Sequence, residues 1–194
     1  SADLTPSNNT AIKGWSDFTP ETPEGSYVRY GIREFAMATI MNGISIYGGL
    51  IPYGGTFMVF SDYLRPALRI ASLSKTKAIY VLTHDSIGVG EDGPTHQPME
   101  HSAALRSIPG VVFLRPADAN ETAQAWKFAI AHQGSPVAIG LTRQKLTILD
   151  RNKYSSAEGL LKGAYVIKDS VGYPDLIIMA SGSEVEISIK AAEE

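Results

Sequence analysis

The chain has 194 residues, with ordinary globular shares of apolar (44%) and charged (19%) side chains, enough for one packed domain and the start of another. A net charge of −3 supplies no basic field for a nucleic-acid backbone, and no apolar run approaches the roughly 18 residues of a membrane helix. There is no cysteine, which excludes a disulfide framework, a thiolate nucleophile and a cysteine-based metal site, and fits a reducing cytoplasm.

The chain opens on Ser1-Ala2-Asp3 without a methionine and ends at Glu193-Glu194 inside helical patterning, which predicts an interior piece of a longer protein. Tyr27 to Tyr30 reads as a weak strand before a turn at Gly31. Glu34 to Tyr47 reads as a helix, apolar around most of its circumference and stopped by Gly48-Gly49, so burial on all sides is expected. Leu50 to Tyr53 is a short apolar run closed by Gly54-Gly55, and a helix containing Pro66 lies between Thr56 and Ser74.

Ala78 to Leu82 has the composition and length of a buried strand. A long loop to Pro98, a helix over Met99–Ile108, a strand over Val111–Leu114, a helix capped by Asp118 and running to His132, and a strand over Val137–Leu141 follow. This β-α-β-α order with continuous apolar strands predicts an α/β fold, a parallel sheet with helices on both faces. Lys145 to Tyr173 is polar and loosely patterned, as a linker is, and Leu176–Ala180 with a helix from Glu184 begins a new β-α unit.

Ligands of open parallel sheets sit beyond the carboxyl ends of the strands. The groups predicted there are Gly31 to Glu34, His84 with its loop, Arg115, and Thr142-Arg143-Gln144. The loop THDSIGVGEDGPTHQP interleaves two histidines and three acids with glycines that allow tight turns and close approach to a ligand. A metal site built from His84, His96, His101 and nearby carboxylates is an alternative, although the spacing matches no common zinc pattern; a solvated surface loop is another.

Glu34 near the start of a helix reads either as a carboxylate on the helix dipole or as a functional acid. The second reading requires burial, because a carboxyl group in apolar surroundings holds its proton more tightly. Phe57, Phe60 and Tyr63 recur every third residue, either as core or as the wall of a flat heterocycle beside the Tyr53-Gly54-Gly55-Thr56 turn.

Together, SADLTPSN, VRYGIREFAM, PYGGTF, THDSIGVGEDGPTHQP, RPADANE and Thr142-Arg143-Gln144 resemble transketolase over nearly the whole chain and in the same order. The histidine loop is the most specific of these. The resemblance implies a pyrimidine-binding domain over residues 1–145, a linker over 146–173 and the start of a C-terminal domain over 174–194. It implies transfer of a two-carbon ketol unit from a ketose phosphate to an aldose phosphate through thiamine diphosphate, the cofactor supplying the carbanion chemistry. Glu34 would then bond the ring nitrogen N1′ of the aminopyrimidine, Phe57, Phe60 and Tyr63 would surround that ring, and Asp3 would lie near the cofactor.

By the same resemblance, Ser7, His84 and Arg143 would bind the sugar phosphate, arginine offering a planar fork of two parallel bonds. Asp92 and His96 would bond substrate hydroxyls. His96 is the residue expected to influence the reacting oxygen, since an imidazole ordinarily titrates near working pH. The family's diphosphate and metal motif, a GDG followed by asparagine, is absent, and Glu91-Asp92-Gly93 is no substitute. The resemblance therefore implies a homodimer in which another domain, from the partner subunit, holds the divalent metal (Mg or Ca), so that this chain alone is inactive.

The sequence departs from the family at Phe35, where histidine is common, and at Ala38, where glycine is usual. Dihydroxyacetone synthase shares the motifs and is the near alternative. A non-catalytic sugar-phosphate binding relative is the alternative of another class, against which Glu34 argues.

Overall fold

The computed structural model describes the whole chain, residues 1–194. Four strands, β1 (Tyr53–Phe57), β2 (Ile79–Thr83), β3 (Val112–Leu114) and β4 (Val137–Gly140), form one parallel sheet in the order β1-β2-β4-β3. The two central strands, β2 and β4, are buried at every position. That is why their sequences are unbroken apolar runs rather than alternating ones.

The six helices are α1 (Thr5–Asn8), α2 (Glu34–Tyr47), α3 (Ser61–Leu73), α4 (His101–Arg106), α5 (Ala119–Ala131) and α6 (Glu184–Glu193). Successive side chains of a strand point to opposite faces. Tyr80, Leu82 and Ala138 accordingly face Met37, Met41, Leu64, Leu68 and Leu105 of α2, α3 and α4. Ile79, Val137 and Ile139 face Ala125 and Ala129 of α5 and Leu160 of a 3-10 segment. Each buried Leu, Ile, Val or Met among these contributes about 1.5–3 kcal/mol, so the sheet is held from both sides, as predicted.

A buried polar pair ties α2 to the sheet. Asn42 donates through Nδ2 to the Ala67 carbonyl at 3.0 Å and accepts at Oδ1 from the Tyr80 hydroxyl at 3.0 Å. No helix of the chain is long and apolar enough to cross a membrane.

Several elements differ from the sequence reading. The short apolar run Leu50–Tyr53, read as closed by a Gly54-Gly55 turn, is not an element of its own; β1 begins at Tyr53 and runs through those glycines. Gly54 and Gly55 pair with Tyr80 and Val81 of β2, and they are glycines because neighbours crowd them. A Cβ on Gly54 would lie 2.5 Å from Met41 Sδ, and one on Gly55 would lie 2.6 Å from Thr10 Cγ2. Pro66 lies well inside α3, past its first turn. Tyr27–Tyr30 makes only an isolated bridge, Asp17 to Tyr27, so Glu34 does not follow a strand. Leu176–Ala180 forms no strand and is largely exposed, because no neighbouring strand supplies the ladder bonds it needs. Finally, α2 is buried on one face only; Phe35, Ile40, Ile46 and Tyr47 remain exposed.

Candidate active site at the carboxyl ends of the strands

The site begins where β1 ends. Phe57 closes the strand, Met58–Phe60 form one 3-10 turn, and Tyr63 stands in the first turn of α3. The three-residue spacing of the aromatics thus comes largely from 3-10 geometry, in which positions i and i+3 eclipse. The Phe57 and Phe60 rings are nearly parallel, with centroids 5.9 Å apart, and Tyr63 follows at 6.2 Å. Phe57 is buried, whereas Tyr63 is 63% exposed and leaves aromatic surface uncovered.

His84 is the first residue beyond β2. It is buried and has φ +57°, a left-handed conformation that a non-glycine side chain keeps only when its surroundings hold it there. Its ring stacks on Phe57 with centroids 3.7 Å apart. The Thr83 hydroxyl lies 3.0 Å from His84 Nδ1 and itself donates to Asn8 Oδ1 at 2.7 Å. With its hydrogen directed at Asn8, the hydroxyl accepts from Nδ1–H, so Nε2 of the neutral ring carries the lone pair.

The far limb of the loop returns to the same place. His96 sets its ring edge against Phe57 and Phe60, at 5.9 and 5.4 Å, while Thr95 Oγ lies 2.8 Å from its Nδ1. The turn after β4 grips the near limb and the middle of the loop. Arg143 donates to Glu91 at 2.8 Å and stands 3.8 Å from Asp92, and Gln144 fills the space where a Cβ of Gly88 would project. Burial pushes His84 below the ordinary imidazole value; Asp92 opposes this, and the neighbouring Arg143 and His96 add to it. The structure therefore brings together seven of the predicted residues: Phe57, Phe60, Tyr63, His84, Asp92, His96 and Arg143.

Glu34, Asp3 and Ser7 lie on segments joined to the sheet through the backbone. Glu34 is the first residue of α2 and is buried, yet its carboxylate makes no hydrogen bond or ion pair in the chain. Tyr30 N–H donates to the Ser1 carbonyl and Ala2 N–H to the Gly55 carbonyl, each at 3.2 Å, which ties the segment before Glu34 to β1. Asp3 is exposed with φ +63°, and Ser7 is exposed on α1 beside Asn8. None of the three shares a hydrogen bond or ion pair with the histidine–aromatic cluster. Ala38 is fully buried against the core and Phe35 is exposed.

The three-histidine metal arrangement does not form. His101 is buried apart from the other two, with Asp62 3.3 Å from Nε2 and Glu100 3.8 Å from Nδ1. The two carboxylates approach different ring nitrogens, and Arg65 already occupies the other Asp62 oxygen at 2.5 Å. Arg115 is likewise not free for a ligand, being paired with Asp85 and Glu184. Two surface clefts, between Thr147–Tyr154 and α6 and around Gly43–Leu50, share no residue with this site. Asn8 and Thr83, which orient His84, were not foreseen; two neutral polar residues 75 positions apart carry no pattern.

Residues 1–148 match the family model for the transketolase pyrimidine-binding domain. The chain belongs to the transketolase family. It is 55% identical over 193 residues to the transketolase of Aquifex aeolicus and 53% identical over 194 residues to that of Geobacillus stearothermophilus. It is covered completely in both comparisons but spans only 28% and 29% of those relatives. Among solved structures, the Pichia stipitis transketolase in complex with sedoheptulose-7-phosphate superposes with a TM-score of 0.93 at 46% identity, over 99% of this chain and 29% of that one. The inactive β4 tetramer of a split-gene transketolase is more distant, with a TM-score of 0.59 at 30% identity over 77% of this chain and 46% of that one.

Proposed function

We propose that this chain supplies the pyrimidine and sugar-phosphate half of a transketolase active site, in an enzyme that moves a two-carbon ketol unit from a ketose phosphate to an aldose phosphate. Residues 1–145 form the pyrimidine-binding domain, 146–173 a linker and 174–194 the start of a further domain. The observation that carries the reading is the convergence of the Phe57–Phe60–Tyr63 aromatics with both histidines of the long loop at one end of the sheet.

Thiamine diphosphate, when bound, supplies the carbanion chemistry of such a transfer. The residues here fit its aminopyrimidine. Phe60 and Tyr63 offer partly uncovered aromatic surface to a flat ring, and Glu34 offers a buried acid without a partner to the ring nitrogen N1′. Asp3 lies near the cofactor in this reading. The diphosphate and its divalent metal (Mg or Ca) are held by another domain, contributed by the partner subunit of a homodimer. The exposed apolar side chains Phe35, Ile40, Ile46 and Tyr47 of α2 are consistent with such an interface.

Arg143, His84 and Ser7 bind the sugar phosphate. Arg143 exchanges its exposed pair with Glu91 for the stronger phosphate contact. His84 takes up a proton on Nε2 to donate to the phosphate, since its Nδ1–H is engaged with Thr83. Asp92 and His96 hold substrate hydroxyls, and His96, packed edge-on against the aromatic wall, is placed to donate to or accept from the reacting oxygen.

The direct test is a full-length protein carrying this segment, assayed with a ketose phosphate donor and either an aldose phosphate or formaldehyde as acceptor. Thiamine-diphosphate-dependent turnover with the aldose phosphate is expected. A preference for formaldehyde would make it a dihydroxyacetone synthase instead, and sugar-phosphate binding without turnover would make it a non-catalytic relative.

A further inference from the structure

We infer that Arg115 is a positioning residue: through Asp85 it fixes the backbone that presents His84, and through Ser181 and Glu184 it ties that backbone to the segment opening α6. The inference rests on the reading of His84 as a phosphate-binding group. Arg115 stands just beyond β3, and its side chain is 11% exposed. Its Nε donates to Asp85 Oδ2 at 2.6 Å, and the Asp85 side chain is 1% exposed. Its Nη1 donates to the Ser181 carbonyl at 3.0 Å, and both Nη groups face the Glu184 carboxylate, Nη2 at 3.1 Å.

The main chain wraps the same arginine. Gly182 N–H donates to the Arg115 carbonyl at 3.0 Å. Gly182 has φ +61°, and a Cβ there would lie 2.7 Å from Arg115 Nε. Only glycine satisfies both the backbone conformation and this approach.

Asp85 adjoins His84, and its N–H donates to the Leu141 carbonyl at 3.2 Å. The strained His84 is therefore clamped on both sides, by Thr83 and Asn8 at its ring and by Asp85 and Arg115 at the following peptide. The other Asp85 oxygen, Oδ1, is buried without a hydrogen bond, and Arg115 is the cation within ion-pair distance. Losing that cation leaves a buried charge uncompensated, which the loop relieves by moving. Lysine cannot substitute, because one planar guanidinium serves Asp85 through Nε and Glu184 through its Nη groups at once.

The test compares donors in the full-length, cofactor-loaded enzyme, using His84→Ala, Asp85→Asn, Arg115→Lys and Glu184→Gln. Each is first checked by thermal melting for a folded state. The readout is KM for a phosphorylated ketose against KM for a non-phosphorylated one. Asp85→Asn and Arg115→Lys are expected to raise the first about tenfold, a loss of about 1.4 kcal/mol. The second KM, kcat and cofactor affinity should stay within about twofold, and Glu184→Gln should move the ratio in the same direction by less. Should Arg115→Lys fail to fold, Asp85→Asn, which keeps shape and removes charge, decides. If His84→Ala shifts the ratio and Asp85→Asn does not, the positioning role is overturned while the site reading stands. If His84→Ala does not shift it, both fall.

Discussion

His84 shows how one residue's chemistry is set by its neighbours. Burial and the facing Arg143 and His96 favour its neutral form, and Thr83 selects the tautomer. A histidine whose folded pKa lies below its unfolded value contributes stability above the unfolded value, about 6.5, and that stability is lost as pH falls through the lower folded value. In a proton NMR titration of the ligand-free protein, His84 should therefore titrate below about 6.5. Arg143→Gln should move its midpoint up and Asp92→Asn should move it down; no response to either would mean that the loop and the turn after β4 do not meet as described. Added inorganic phosphate should raise the midpoint, because a phosphate needs the proton on Nε2.

Among the elements, α5 carries the most complete end structure. Asp118 caps it, its Oδ1 accepting from Glu121 N–H at 2.8 Å, while Glu121 reaches back to Ala117 N–H at 2.8 Å. The other Asp118 oxygen accepts from Leu149 N–H at 3.0 Å and from Arg151 at 2.8 Å, fastening the chain after β4 to the helix. Arg151 and Glu121 both also bond Tyr165, whose hydroxyl is pushed up to about 12 by burial and by Glu121. Asp118→Ala should destabilise the protein by about 3 kcal/mol, removing a cap and the nearer carboxylate partner of Arg151. Asp118→Asn, which keeps the cap, should cost less than half of that in urea unfolding, and equal losses would assign the whole effect to the ion pair. The Asp118 cap was legible from sequence because an aspartate preceding an apolar helix is a local signal. Strands β2 and β4 were legible because burial on both faces leaves continuous apolar runs. The β1 boundary was not, since glycines forced by Met41 and Thr10 look like turn glycines until those neighbours are known. The strand expected at Leu176–Ala180 failed for a complementary reason: its apolar run is real, but a strand exists only with a partner. Site legibility divided the same way. The histidine loop announced itself by composition, whereas the Asn8–Thr83 support and the Arg115 clamp depend on contacts between distant segments.

At the scale of the whole molecule, the proposed reading gives this chain half of a site. It spans under a third of the relatives it matches, and Glu34 is buried without a partner beside an apolar helix face that nothing in the chain covers. On the proposed reading, the isolated chain should show no thiamine-diphosphate-dependent turnover. Turnover by the pure chain would mean that no other domain is required. The measurement that bears most directly on the account is the Glu34→Gln substitution in a full-length enzyme saturated with thiamine diphosphate and metal. An amide fills the same volume but cannot hold a proton for N1′, so turnover should fall by roughly 10²–10⁴-fold with the melting temperature preserved. Turnover within about twofold of the unsubstituted enzyme would contradict the role given to Glu34 and the mechanism built on it.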